Sequence, residues 1–129
     1  MHQCILCMGS NVEGESLLKT VRDSLIHYFG PILFSDVMET EAIGDDFQSP
    51  FYNQVVILHS NFSIDDTKML CKRIEKEHGR LPEDKSNGIV KIDVDLIKYD
   101  DTCLKEKDLA LYYVQQGLEQ IRDNKKKSV

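Results

Sequence analysis

Two aspartates, Asp93 and Asp95, form the most chemically informative pair in the sequence. They lie in a segment, 90–99, whose apolar residues recur with a period of two, which predicts a strand. Asp93 and Asp95 then point to the same face, with Cα atoms about 6.5–7 Å apart. Two carboxylates so placed repel each other unless a cation or several hydrogen bonds lie between them. Because Mg²⁺ commonly binds one or two carboxylates and completes its shell with substrate phosphates, the pair predicts a magnesium site.

The alternation gives this strand two distinct faces. The predicted core face carries Val90, Ile92, Val94 and Leu96. The opposite face carries Lys91, Asp93, Asp95, Ile97 and Tyr99. A plainer interpretation is an exposed face that simply carries charge, with Lys91 as a cross-strand partner. Because a D-x-D motif occurs often by chance, its spacing alone leaves both interpretations open.

Hydrophobic periodicity predicts the elements that position this strand. In chain order they are a strand at 3–9, a helix at 15–29, strands at 32–40 and 52–60, a helix at 64–78 and a last helix at 109–121. Ser63, followed by acids, is typical of a helix N-cap. A loop at 41–50 and a polar loop at 80–88 separate elements. The order β-α-β-β-α-β plus a C-terminal helix predicts an α+β, ferredoxin-like sandwich, with helices on one face of a mostly antiparallel sheet.

The composition predicts one globular domain. The chain has 129 residues, of which 41% are hydrophobic and 29% charged, enough to bury a core without disulfides or zinc. We expect a single domain over 1–123, followed by a disordered basic tail at 124–129. The formal net charge of −6 argues against nucleic-acid binding, which requires a basic surface.

Neither a membrane span nor a signal peptide is expected. No apolar run approaches the roughly 18 residues of a transmembrane helix. The first residues, MHQCILCMGSN, lack the basic start and the small-residue cleavage site of a secretory signal. We therefore expect a cytoplasmic protein.

The four cysteines are predicted to be buried free thiols. Cys4 and Cys7 form a C-x-x-C motif, which can serve redox chemistry or metal binding. They lie in a predicted strand, however, where residues three apart point to opposite faces and cannot easily share a metal or a disulfide. Cys71 and Cys103 have no partner at a matching spacing.

Five short segments, in order over about residues 4–100, carry a family resemblance. They are Met8–Asn11, Thr40 with Ile43 and Gly44, Pro50–Asn53, Arg73–Glu75 with Gly79 and Arg80, and Ile92–Leu96. Together they resemble the hydroxymethyldihydropterin pyrophosphokinase family of folate biosynthesis. The resemblance implies a ferredoxin-like fold. It also implies transfer of a pyrophosphoryl group from ATP to the hydroxymethyl oxygen of the pterin, with release of AMP.

The resemblance also implies a role for individual residues. The catalytic residues would be Asp93 and Asp95, which hold two Mg²⁺ ions with ATP, and Arg80, which balances phosphate charge. The substrate-binding residues would be Thr40, Ile43, Phe51 and Asn53, with Phe51 stacked on the pterin ring. The nucleotide-binding residues would be Glu75, Arg80 and Leu96. The expected partners are ATP and the pterin, without nucleic acid or membrane, for a monomer or a weak homodimer.

Two stretches depart from the family pattern. The family carries arginine, and often tryptophan, in a loop that corresponds to 81–89, which has neither here and contains two acids. Val90 stands where the family has an arginine three places before the first aspartate. A His-containing stretch and a downstream arginine are replaced by 111–116, beyond which only Arg122 follows. Two alternatives therefore stay open beside the enzyme: a pterin- or nucleotide-binding module with little turnover, and a plain interaction domain with exposed aspartates.

Overall fold

The computed structural model describes residues 1–41 and 50–127. Its strands are β1 (His2–Ser10), β2 (Ile32–Phe34), β3 (Met38–Thr40), β4 (Phe51–Ser60), β5 (Asp93–Tyr99) and β6 (Thr102–Cys103). Its helices are α1 (Gly14–Phe29), α2 (Ile64–Glu77), α3 (Glu106–Leu109) and α4 (Tyr112–Lys127), with a short 3-10 helix at Lys85–Asn87. Most of the predicted loop at 41–50, including Ile43, lies outside the described residues.

The strands form one antiparallel sheet in the order β2-β4-β1-β5-β6, and β3 also pairs with β4. The central strand is β1, between β4 and β5. Helices α1 and α2 cover one face, where a single core joins them to the strands. Its buried residues include Leu18, Val21 and Leu25 of α1 and Cys71 and Ile74 of α2. The predicted α+β sandwich with a mostly antiparallel sheet is confirmed.

Helix α4 packs on the opposite face of the sheet. Its Val114 and Ile121 are buried there against Val55 and Ile97, as its apolar stripe predicts. The helix backbone approaches β4 closely at Gly117, where an added Cβ would lie 2.6 Å from Cγ2 of Val55. The sheet face that carries the paired aspartates is therefore partly covered, rather than wholly open to solvent.

The predicted strand at 32–40 is divided into β2 and β3. The register between β2 and β4 differs by one residue from that between β3 and β4, which is the signature of a β-bulge. Ser35 fills the break, since its amide donates to the carbonyl of Val55 and its Oγ accepts from the Val55 amide, both at 3.0 Å. The side chain thus replaces a backbone partner that the bulge removes.

A second bulge, in β5, places Tyr99 on the face opposite to the predicted one. The pairing of β5 with β1 shifts by one residue at Ile97, so the alternation restarts after it. Tyr99 therefore lies in the core under α1 and α2, and its hydroxyl donates to the carbonyl of Phe62 at 2.7 Å. The prediction that Tyr99 shares the face of Asp93 and Asp95 is wrong, because a strict period of two cannot anticipate a bulge.

The C-terminal part contains more structure than predicted. Strand β6 and helix α3 lie between β5 and α4, and α4 begins at Tyr112 and continues to Lys127. That helix end falls within the segment 124–129, whose disorder stays a prediction. The N-cap at Ser63 is confirmed, since its side chain accepts a hydrogen bond from the Asp66 amide. None of the described helices combines the length and the apolar character needed to cross a membrane.

The cysteines are free thiols as predicted, but only Cys4 and Cys71 are buried, whereas Cys7 and Cys103 are partly exposed. Cys4 and Cys7 pack in the cores on opposite faces of the sheet. Burial is the main cause that raises the pKa of Cys4 to about 11 and the pKa of Cys7 and Cys71 to about 12.

We expect iodoacetamide at pH 8 to alkylate Cys4, Cys7 and Cys71 at least about a hundredfold more slowly in the native protein than in urea, because the thiolate is the nucleophile. Peptide mass spectrometry measures the rates. Equal rates in both states would contradict the burial of these side chains.

Candidate active site

Three neighbouring strands form the floor of a pocket on the face that α4 partly covers. The register across β4, β1 and β5 aligns Asn53, Gly9 and Asp93 in one row. The adjacent row on the same face consists of Val55, Cys7 and Asp95. Asp93 and Asp95 therefore share a face, as their spacing predicts.

The pocket has a volume of about 230 Å³. Five residues selected from the sequence line it: Thr40, Phe51, Asn53, Asp93 and Asp95. Helix α3, the turn after it and the first turn of α4 supply a wall that the sequence did not indicate, made of Asp108, Leu111, Tyr113 and Val114. A pocket of this kind, apolar on one side with a few convergent polar groups, suits a small flat ligand with polar edges.

Gly9 makes room for the polar floor of the pocket. A Cβ at this position would lie 3.0 Å from Oδ1 of Asn53, closer than such atoms normally approach. The Asn53 side chain is buried, and its Nδ2 donates to Oγ1 of Thr40 at 2.7 Å. The hydrogen bond fixes the orientation of the amide, so the floor presents a preorganised acceptor and donor.

Asn11 connects the end of β1 to the polar loop that precedes β5. Its Nδ2 donates to the carbonyl of Gly88 at 2.9 Å, and its Oδ1 accepts from the Val90 amide at 2.7 Å. Its own amide donates to the Val90 carbonyl at 2.9 Å. These three bonds hold the end of the polar loop beside the aspartates, which explains why an asparagine suits this position of the turn.

Asp93 is paired with Arg80, which follows the C-terminus of α2. Nη1 of Arg80 lies 3.0 Å from Oδ1 of Asp93 and also donates to the carbonyl of Ile92 at 3.3 Å. The same nitrogen lies 3.0 Å from Oε2 of Glu75. Arg80 is therefore held at the pocket edge by three oxygens from two elements.

Glu75 is a buried carboxylate that joins α2 to β5. It is 2% exposed, and its Oε2 accepts from the Val94 amide at 2.7 Å. Lys72 is a further partner, at 3.3 Å. The structure gives this carboxylate partners within the protein, and the expected contact with a nucleotide stays a prediction. Its geometry suits a residue that positions Arg80.

Asp95 is paired with Lys105, whose Nζ lies 3.0 Å from Oδ1 of Asp95. Burial of the carboxyl and the nearby Asp93 carboxylate raise the pKa of Asp95, although Lys105 opposes the shift. The two aspartates thus have separate cationic partners, Arg80 and Lys105. This arrangement differs from the exposed, merely charged face that was the plainer interpretation.

A further polar group of the pocket wall is the phenol of Tyr113. Burial first, and then the acidic groups around it, raise the pKa of Tyr113 to about 12. The phenol therefore stays protonated at neutral pH and can donate a hydrogen bond to an oxygen anion.

Three residues selected from the sequence do not line the pocket: Leu96, Glu75 and Arg80. Glu75 and Arg80 line a neighbouring cavity, from which Arg80 reaches Asp93. Leu96 is 3% exposed and belongs to the core under α1 and α2, and Glu75 faces the same side. Ile43 lies outside the described residues. Sequence reasoning missed Lys105 and Asp108 because β6 and α3, which return the chain over β5, have no clear periodicity. It missed Tyr113 because the period of a helix does not show that its first turn borders a pocket.

The pocket suits a divalent cation with few protein ligands. Asp93 and Asp95 offer hard carboxylate oxygens side by side, and each already has a cation 3.0 Å away. Among the described residues, no group of three or more His, Cys, Asp or Glu side chains could hold a metal ion. Mg²⁺ fits such a site, because it tolerates one or two carboxylates when water and phosphate oxygens complete its shell.

Fold and pocket together define an α+β protein with a pocket lined by paired carboxylates. A family model described as 7,8-dihydro-6-hydroxymethylpterin-pyrophosphokinase (HPPK) matches residues 5–122. The chain belongs to this family of enzymes.

Two curated relatives carry the name 2-amino-4-hydroxy-6-hydroxymethyldihydropteridine pyrophosphokinase. The protein of Helicobacter pylori is 27% identical over 116 residues, which cover 85% of this chain and 70% of that relative. The protein of Porphyromonas gingivalis is 37% identical over 98 residues, which cover 71% of this chain and 65% of that relative. The chain thus spans about two thirds of the length of the relatives it matches.

Proposed function

We propose that this protein transfers a pyrophosphoryl group from MgATP to 6-hydroxymethyl-7,8-dihydropterin. The observation that carries the proposal is the single pocket that contains both the polar floor of Thr40 and Asn53 and the paired carboxylates of Asp93 and Asp95. The floor and Phe51 suit a flat heterocycle, and the carboxylates suit the metal-bound phosphates. In the reaction, the hydroxymethyl oxygen bonds to the β-phosphorus and its proton passes to water, the bond from that phosphorus to the α-phosphate oxygen breaks, and AMP leaves with that oxygen.

The residues contribute positioning and charge, as is general for phosphoryl transfer. Asn53, held by Thr40, would hydrogen-bond the polar edge of the pterin, and Phe51 would stack on its ring. Arg80 would place a fixed positive charge at the phosphates. Mg²⁺ bound by Asp93 and Asp95 would supply charge neutralisation at the phosphate oxygens.

A binding module with weak turnover is the second candidate. The stretch 81–89 carries no arginine, and Glu41 and Asp108 add two further carboxylates to the pocket. Loss of one donor to a developing charge costs about a hundredfold or more in rate. Such a protein would bind MgATP or the pterin and release little AMP.

The test is release of AMP from MgATP by the purified protein in the presence and absence of the pterin, with Asp95→Ala as the control. We expect pterin-dependent AMP that disappears in the variant. AMP at the background level of the variant, together with calorimetric binding of either ligand, would support the binding module instead. Absence of both would leave a plain interaction domain.

Gly9→Ala tests the polar floor. The new Cβ would displace Oδ1 of Asn53, since only 3.0 Å separates them. We expect pterin affinity to fall about tenfold, equivalent to roughly 1.4 kcal/mol, while affinity for MgATP changes little. Fluorescence titration with the pterin measures the effect. An unchanged pterin affinity would show that Asn53 does not contact this ligand.

The proposal includes a cytoplasmic protein that works as a monomer or a weak homodimer. Cell fractionation tests the location, and sedimentation velocity over a range of concentrations tests the assembly. A stable higher oligomer would contradict the second statement.

A further inference from the structure

We infer that Lys105 is an exchangeable counter-cation of Asp95. A divalent cation displaces Lys105 from Asp95, and the displaced ammonium then pairs with a phosphate oxygen of the bound nucleotide. The first half concerns only this chain and a metal ion. The second half rests on the proposed function, because it requires a nucleotide beside the two aspartates. The two halves make separate predictions.

The first observation is the ion pair itself. Nζ of Lys105 lies 3.0 Å from Oδ1 of Asp95, and the two side chains are 43% and 21% exposed. The Asp95 carboxylate lines the pocket. The Lys105 ammonium beside it would therefore compete with a metal ion for the same carboxylate. Two positive charges cannot share one carboxylate oxygen without strong repulsion.

The second observation is how the backbone places this lysine. The amides of Leu104 and Lys105 both donate to the carbonyl of Ile97, at 2.8 and 3.3 Å. Ile97 is the bulged residue of β5, two places after Asp95. The bulge therefore anchors the returning chain, and the lysine stem reaches back to the aspartate from a fixed starting point.

The third observation is the contrast with Arg80. The Arg80 guanidinium contacts Glu75, Asp93 and the carbonyl of Ile92, so it stays in place if one partner is taken away. Among the described residues, the Lys105 ammonium has Asp95 as its one hydrogen-bonding partner. It is also a compact charge on a flexible stem. Of the two counter-cations that contact the paired aspartates, Lys105 is the one that can exchange partners.

Removal of Lys105 then has opposite effects on two ligands. A metal ion without nucleotide binds more tightly, because it no longer competes with the ammonium for Asp95. A metal–nucleotide complex binds more weakly, because a phosphate oxygen loses its cationic partner. A purely structural role for the lysine would weaken both ligands together.

The test compares the wild type with Lys105→Met, Lys105→Arg and the control Lys107→Met. Lys107 is exposed, lies two residues away, and loses the same charge in its variant. Mn²⁺ binding without nucleotide is followed by electron paramagnetic resonance. Binding of Mg²⁺ with a non-hydrolysable ATP analogue is followed by calorimetry, and circular dichroism checks the fold of each variant.

For Lys105→Met we expect Mn²⁺ affinity to rise about tenfold and affinity for the Mg²⁺–nucleotide complex to fall about tenfold, each equivalent to roughly 1.4 kcal/mol. Lys105→Arg should restore the nucleotide affinity, and Lys107→Met should change neither value. Unchanged Mn²⁺ affinity in Lys105→Met, or an equal rise in Lys107→Met, would contradict the inference that Lys105 competes with a metal ion for Asp95. If Lys105→Met binds Mn²⁺ more tightly but loses no affinity for the nucleotide, the inference that Lys105 pairs with a phosphate oxygen is wrong. If even the wild type binds no nucleotide, the proposed function and the second half both fail, while the Mn²⁺ result still decides the first half.

Discussion

Asp95→Asn is expected to abolish pterin-dependent release of AMP while leaving the fold at least as stable as the wild type. The substitution keeps the shape of the side chain and removes the charge that would hold Mg²⁺. Loss of such an electrostatic contribution costs a hundredfold to a thousandfold in rate, about 3–4 kcal/mol. Asp93→Asn should act in the same direction, and the AMP assay measures both.

The stability of Asp95→Asn should depend on pH in a defined sense. Burial and the neighbouring Asp93 raise the pKa of Asp95 above its ordinary value of 3.8, so the folded wild type disfavours the charged form. The protonated carboxyl of Asp95 contributes to the free energy of unfolding of the wild type. This contribution is complete at pH values below the ordinary pKa and is lost as the pH rises through the raised pKa of the folded state. The variant, which cannot ionise, should therefore gain stability relative to the wild type across that window and keep the gain at neutral pH.

Urea unfolding from pH 3 to pH 7, without metal, measures this difference. Added Mg²⁺ should then stabilise the wild type and leave Asp95→Asn unchanged, because a ligand stabilises only the state that binds it. A variant that is less stable than the wild type at pH 7 would show that the pair with Lys105 outweighs the cost of burying the carboxylate.

Glu75→Ala should produce the largest loss of stability among the predicted variants. The buried carboxylate accepts from the Val94 amide and contacts Arg80 and Lys72. Its removal leaves a buried amide without its acceptor and a partly buried guanidinium without one of its counter-ions. We expect the free energy of unfolding to fall by about 3 kcal/mol. The effect on turnover should be smaller, because Arg80 keeps its contacts with Asp93 and the carbonyl of Ile92.

Glu75→Gln is the matched control for this prediction. Glutamine has the same size and keeps an acceptor for the Val94 amide, but it loses the charge that Arg80 and Lys72 contact. We expect a smaller loss of about 1 kcal/mol. Urea titrations at constant m-value separate the two variants. Equal losses would indicate that the ion pairs, rather than the amide hydrogen bond, dominate this buried site.

The pocket was only partly predictable from the sequence. The spacing of Asp93 and Asp95 required a common face, and β5 preserves it because the bulge at Ile97 comes after both residues. Tyr99 lies beyond that bulge and was assigned to the wrong face for that reason. The family resemblance selected Thr40, Phe51 and Asn53, which the pairing of β3 and β4 brings to the same pocket.

The polar partners of these residues required the tertiary structure. Lys105 stands ten residues after Asp95 in a stretch with little periodicity, and only the hydrogen bonds to the bulged Ile97 return it to the carboxylate. Glu75 looks like an exposed charge near a helix end in the sequence, yet the packing of α2 on β5 buries it. Contacts of this kind depend on distances between elements, on which local patterns carry no information.

The amino-acid sequence by itself determined the fold class, the type of the longer helices and strands, and the common face of Asp93 and Asp95. Those features are local, because the periods of helices and strands follow from backbone geometry alone. The tertiary structure decided which cations pair with the two aspartates, which side of the pocket α4 covers, and that the side chain of Glu75 is buried. These outcomes arise from long-range packing, in which one bulged residue is enough to redirect every side chain that follows it.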